Sequence, residues 1–220
     1  MQILSMLWLL AILMPISDAD ALHRHSQDQE ATIVIGEGSL LASATTALSG
    51  IDPAKWTATV VGFFRQLSHA TRLHAAAADL PDTDSALVAP MVLAAIAEET
   101  PRAPAALLVA LAWGESRFDQ RAQPLCGVLQ VNPVDIGRPA SDCAVWRGDV
   151  QLAVRAGVTE IEMMLADRRV AGNLRRMLLY RACGNAAFDG TCDAKKYAWV
   201  DAAIARYRQL ERAVARAATS

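Results

Sequence analysis

Apolar and polar positions alternate in blocks along the chain, and most of the blocks carry helical spacing. The first is an apolar run of about fifteen residues from Gln2 to Ile16. It is shorter than the roughly 20 residues a spanning helix needs, and Ala19-Asp20-Ala21 supplies small residues for cleavage. Residues 1–22 therefore read as a secretory signal peptide or a membrane anchor, with residues 1–16 as the part able to touch a membrane. No Lys or Arg precedes the run, and a buried N-terminal helix is the remaining reading. The polar stretch from His23 to Glu30 reads as linker, with His23 and His25 solvated rather than sharing a metal. Farther on, Trp56, Val60, Phe63, Phe64 and Leu67 recur at spacings of three and four, the stripe of a helix. Residues 23–84 are thus a polar linker and a helical extension. The turn formers from Leu80 to Ser85 mark a boundary, with Asp84 or Ser85 as the N-cap of the next helix.

Residues 85–220 read as successive helices broken by Pro and Gly: 86–100, 105–118, 149–168, 173–182 and 194–217, with a loop-rich interval over 119–147. From Ala106 to Trp113 the pattern is apolar on every side, which puts that helix at the centre of its domain. Aromatics are only 5% and β-branched runs are few, so the expected class is all-α. No Gly-rich phosphate loop, nucleophile elbow or H-E-x-x-H occurs, which leaves nucleotide, serine-hydrolase and zinc-protease chemistry without a motif.

Composition refines this picture. With 53% apolar and 20% charged residues over 220 positions, the bulk of the chain is not disordered. Cys126, Cys143, Cys183 and Cys192 lie near turns with no histidine beside them. Disulfides fit better than zinc, and of three connectivities the local one, Cys126–Cys143 with Cys183–Cys192, clips one loop each. Four reduced thiols are the alternative. The formal charge of −2 speaks against duplex nucleic acid as a partner, but it conceals an asymmetry. Residues 1–100 carry 4 basic and 11 acidic side chains, and residues 101–220 carry 17 and 12. The second half is therefore suited to an anionic polymer, through side chains such as Arg117, Arg121, Arg175, Arg176, Lys195 and Lys196.

Glu115 is the residue that carries most information. It ends the apolar helix, and a carboxyl held against apolar walls is costly to ionise, which suits a general acid for glycosidic oxygen. Asp119, four residues on, reads as a turn residue. The segment Leu107 to Asp119, with Glu115-Ser116-Arg117-Phe118 at its end, resembles the E-S-x-F hallmark of the soluble lytic transglycosylase family. Gly127-Val128-Leu129-Gln130-Val131-Asn132-Pro133 resembles that family's second motif, G-L-M-Q-V-x-P. The third, A-Y-N-A-G, is poorly kept in Tyr180 to Phe188, where Cys183 stands in the tyrosine's place and Tyr180 lies a turn away. The loop between the first two motifs is compressed, and Gly114 precedes the glutamate.

The resemblance covers residues 85 to about 210 and implies a lysozyme-like helical domain acting on peptidoglycan glycan strands, without metal or other cofactor. It implies Glu115 as the catalytic acid and then base. Ser116 and Gln130 are implied to line the sugar groove, with Tyr180 and Asn185 as further substrate contacts from the third segment; Tyr180 is also the candidate to take over the contact that the motif's tyrosine makes with the glutamate, the alternative being an ordinary core residue. The expected reaction cleaves the β-1,4 bond between N-acetylmuramic acid and N-acetylglucosamine to leave a 1,6-anhydro end. A hydrolase on the same fold, a catalytically degenerate wall-binding protein and a membrane-tethered helical adaptor are the alternatives. The expected location is extracytoplasmic, either periplasmic, secreted or membrane-anchored, or else a phage virion, with cell-wall or virion assembly partners.

Overall fold

A computed structural model describes residues 53–216; the apolar start, the linker and residues 31–52 lie outside the described residues. All regular structure among the described residues is helical apart from one isolated bridge between Cys126 and Val131. The helices are α1 (Pro53–Ala78), α2 (Ser85–Glu98), α3 (Ala105–Ser116), α4 (Asp142–Gly148), α5 (Val150–Ala166), α6 (Leu174–Cys183), α7 (Ala186–Asp189) and α8 (Ala194–Arg216), with a 3-10 turn at Pro133–Ile136. The chain divides into two units between Arg65 and Gln66. Glu115 and the residues around it lie wholly in the second unit, whose core already includes Leu73, Ala77 and Leu80.

The centre of this unit is α3, whose residues Ala105 to Trp113 are all buried. That is the outcome the all-round apolar pattern requires. It packs against α2, α5 and α8, and its first turn has no side-chain cap of its own. Instead the Ala105 N–H donates to the Glu99 carboxylate at 3.1 Å, meeting one of the donors a helix start leaves open. Three other starts are capped locally. Asp84 accepts from Ala86 N–H, Asp149 from Leu152 N–H and Asn173 from Arg176 N–H, as short acceptor side chains at this position do.

Gly114 lets α8 come close to α3. A Cβ there would stand 3.0 Å from Arg206 Nη1 and 3.9 Å from Trp199 Nε1, so side chains of α8 lie against this glycine. The interval 119–147 is less irregular than its sequence suggests. It contains α4, a seven-residue helix that is too short to stand on propensity. Its buried Trp146 and the Cys126–Cys143 bridge hold it in place. The second bridge, Cys183–Cys192, joins the end of α6 to the residues just before α8. All four cysteines are thus bonded in the local pairing.

Among the described residues no helix is long and apolar enough to cross a membrane. The two disulfides mark an oxidising, extracytoplasmic environment.

Candidate functional site

Three backbone positions in the left-handed region shape the site. Helix α3 ends at Arg117 with φ 56°, its N–H returning to the Trp113 carbonyl, and Phe118 follows at φ 70° with its ring buried. In the second motif Gln130 has φ 51° and is 4% exposed. A non-glycine residue there costs about 1 kcal/mol, and the loop's own bonds offset it. The Gln130 amide nitrogen donates to the Ala122 and Gly127 carbonyls, both at 2.9 Å, while its oxygen accepts from Leu125 N–H at 3.0 Å. Gly127 is required in this loop for two reasons. Its φ is +66°, and a Cβ would lie 2.6 Å from Ala153 Cβ on α5. Ser116 joins the two motifs, its hydroxyl lying 3.0 Å from the Ala112 carbonyl and 2.8 Å from that of Val128.

These loops and the helices α5, α6 and α8 enclose a cleft of about 1130 Å³. Glu115, Gln130, Tyr180 and Asn185 border it. Ser116 does not; its hydroxyl is a strut between helix and loop. Gln130 borders the cleft, but both of its amide hydrogens are engaged within the loop.

The sequence does not disclose what holds Glu115. Its carboxylate accepts from the Arg181 guanidinium, which reaches across from α6. The same guanidinium donates to Glu160 on α5 at 2.9 Å and to the Leu129 carbonyl in the second motif. Arg181 and Glu160 are buried, with side chains 6% and 8% exposed, whereas Glu115 is 22% exposed and opens to the cleft. Burial disfavours the charge on Arg181, but Glu160 and Glu115 more than compensate and hold it protonated. For Glu160, burial outweighs Arg181 and pushes the carboxyl above its ordinary range, with Glu115 and Asp135 adding to the rise. One buried cation thus faces two carboxyls, of which the deeper is the harder to ionise.

A second arginine organises the far wall. Arg169 donates to the Asn185 side-chain oxygen at 2.8 Å and to the Tyr180 hydroxyl at 3.3 Å, and its guanidinium carbon lies 4.5 Å from the Phe188 ring centre. The Tyr180 hydroxyl is therefore held by Arg169, and the partner of Glu115 is Arg181. Asp167, fixed by side-chain and backbone bonds from Arg169, has its carboxyl lowered to about 2.

No known family model, curated protein or solved structure matches this chain. What the site can do rests on its own geometry. A partly exposed carboxyl at a rigid helix end, steadied by a buried guanidinium, can exchange a proton with a ligand in the cleft. The walls are mixed in charge. Asp135, Glu160 and Asp167 stand with Glu115, and Lys195 and Lys196 at the start of α8 stand with Arg181. Leu125, Ile136, Met163 and Trp199 give apolar surface, which suits a polar ligand with hydrophobic faces. Among the described residues no three His, Cys, Asp or Glu side chains are placed to hold a metal ion.

Arg181 and Glu160 are the site residues hardest to foresee. The one available signal is that Glu160 lies on the apolar stripe of α5 with Ala153, Gly157 and Ile161, so it had to be buried and needed a partner.

Proposed function

We propose that the chain is a peptidoglycan lytic transglycosylase with a lysozyme-like helical domain, and that Glu115 is its single catalytic carboxyl. The observation that carries this reading is the placement of Glu115. It ends the fully buried helix α3 and faces a cleft large enough for several sugar residues, with Arg181 on its inner side.

In this mechanism protonated Glu115 gives its proton to the glycosidic oxygen and the C1–O bond breaks. The substrate's N-acetyl group stabilises the electron-poor C1, and Arg181 stabilises the carboxylate left on Glu115. Glu115 then takes the proton of the muramic C6 hydroxyl, whose oxygen closes onto C1 to give the 1,6-anhydro product. Glu115 ends protonated as it began. Gln130 and Ser116 keep the second-motif loop against the end of α3, while Arg169 holds Tyr180 and Asn185 at the border of the cleft. The oxidising environment marked by the disulfides suits a periplasmic, secreted or membrane-anchored wall enzyme, and equally an enzyme carried in a phage virion.

The test is digestion of isolated sacculi by the full chain, with mass spectrometry of the released muropeptides. Anhydro-muramyl ends are expected, and Glu115→Gln should lower the rate by about 10²- to 10⁴-fold, the usual weight of a positioned general acid. Products with reducing ends alone would replace this reading by a hydrolase on the same scaffold. A second reading is favoured by the ion pair between Glu115 and Arg181, because such a pair can be purely structural. It describes a wall-binding protein without turnover, and glycan retention unaffected by Glu115→Gln, with no released muropeptides, would establish it.

A further inference from the structure

The positive charge of the second half of the chain is not concentrated in the cleft, whose walls are mixed. Six arginines, Arg102, Arg138, Arg155, Arg169, Arg175 and Arg181, meet carboxylates among the described residues. Arg117 and Arg206 do not. Both stand instead on the indole of Trp113, their guanidinium carbons 3.5 Å and 3.8 Å from its ring centre. They reach it from separate elements, Arg117 from the turn that closes α3 and Arg206 from the middle of α8.

The indole is itself fixed. It is 7% exposed, and its Nε1–H is shared at 3.0 Å between the Pro81 carbonyl and the Thr83 hydroxyl. Each guanidinium has a single protein hydrogen bond through its side chain. Arg117 donates to the Trp113 carbonyl at 2.7 Å and Arg206 to the Ala110 carbonyl at 3.2 Å. A guanidinium carries five donors, so most of those in the pair have no protein acceptor among the described residues. The negative end of α3 and the indole face account for two cations being tolerated there. They supply no counter-charge of full magnitude to either. Burial, followed by the like charge of Arg117, pushes Arg206 down to about 10, the sign of a pair lacking a counter-charge. The Arg206 guanidinium lies against Gly114, and Arg117 is exposed to solvent.

We propose that Arg117 and Arg206, braced on Trp113, form a binding site for an oxyanion of the carboxylate or phosphate class, separate from the cleft. A guanidinium is a planar donor fork that matches the paired oxygens of such a group, and here two are held by one fixed indole. Trp199, beside Gly114, borders the cleft, so an anionic substituent on a bound polymer is one source. The peptide carboxylates of a glycan strand and the phosphodiesters of a wall polymer are the two to distinguish.

The full chain labelled with 15N-arginine is titrated with inorganic phosphate, and the side-chain Nε–Hε signals are followed by NMR. The signals of Arg117 and Arg206 should move together along one saturable curve, about tenfold tighter than any response of Arg121, which is exposed and has no side-chain partner among the described residues. In Arg206→Gln, checked for an unchanged melting profile, the Arg117 curve should be lost. Absence of a saturable shift, or an equal response from Arg121, overturns the proposal. Peptide-bearing glycan strands competing with phosphate assign a carboxylate source, a ribitol phosphate polymer competing assigns a phosphodiester source, and phosphate binding alone assigns a small free anion. The readout does not depend on turnover, so a chain that cleaves no glycan leaves this test intact.

Discussion

Replacing Arg181 by Met tests the centre of the site without reference to any substrate. Met fills a comparable volume, so the cavity contribution is small. The change removes the cation from Glu160 and Glu115 and the donor from the Leu129 carbonyl. Glu160, 8% exposed, is left as a buried carboxyl without a cation. Breaking a buried pair on one side costs about 3–5 kcal/mol. For a unit of this size each kcal/mol lowers the melting temperature by about 2–4 °C, a total of roughly 6–20 °C.

The pH dependence is the sharper part of the prediction. In the wild type, burial already holds the Glu160 carboxyl above its ordinary 4.5, and removing Arg181 lets it rise further. A carboxyl raised on folding contributes fully to stability below its unfolded value, and that contribution is lost as pH rises through the folded one. The deficit of Arg181→Met should therefore be largest at pH 8 and shrink towards pH 5. Urea denaturation of wild type, Arg181→Met, Glu160→Gln and the double variant at both pH values measures it. The double variant should recover more than half of the single loss, because the stranded charge is gone. A loss below about 1 kcal/mol, or one equal at pH 5 and pH 8, would refute the picture of a buried cation holding two carboxyls.

Other changes probe the supports around the site. A Cβ on Gly157 would fall 2.2 Å from Leu129 Cδ1, so Gly157→Ala should displace the residue whose carbonyl Arg181 holds and cost about 1–3 kcal/mol. Gly148→Ala, with open space around it, should be neutral or stabilising by less than about 1 kcal/mol in the same melt. Replacing Cys126 and Cys143 together by Ser opens a loop of sequence separation 17 and should lower stability by about 3 kcal/mol, with reductant affecting the variant less than the wild type. Burial raises Glu98, but bonds from Arg155 at 2.7 and 2.9 Å and from Gln151 outweigh it and lower the carboxyl. Its contribution is thus present above pH 4.5 and lost as pH falls through the depressed value. Arg155→Ala should accordingly cost up to about 1 kcal/mol at pH 7 and less at pH 3, read by urea titration.

How much of this is legible in the sequence depends on the range of the forces involved. The central helix is, because nine successive buried positions from Ala105 to Trp113 leave no polar face to put outside. The disulfides are, because each closes a short loop whose ends are near by chain connectivity alone. Helix α4 is not, since its seven residues carry no periodic stripe and are held by Trp146 and a bridge. Glu115 can be singled out from its position at the end of an apolar run. Its partner cannot, because Arg181 lies 66 residues away, and near the end of α6 a basic side chain ordinarily faces water.

That partner also changes how the weak third segment is understood. A tyrosine in contact with the glutamate would donate one neutral hydrogen bond, and this chain has no tyrosine there. Arg181 makes the contact instead, with a charged donor that Glu160 holds buried and Leu129 ties to the second motif. Charge-assisted bonds are roughly twice as strong as neutral ones, so the glutamate is fixed at least as firmly, by a different device. The consequence is chemical as well as structural. A guanidinium steadies Glu115 most when the carboxyl is ionised, after it has given up its proton. Glu160→Gln keeps an acceptor for Arg181 and should then spare both the fold at pH 5 and glycan cleavage, whereas Arg181→Met removes the cation from Glu115 and should slow cleavage by about 10²-fold or more. Equal losses of cleavage in the two variants, each still folded, would mean that Arg181 only ties the second-motif loop in place and has no part in steadying the carboxylate on Glu115.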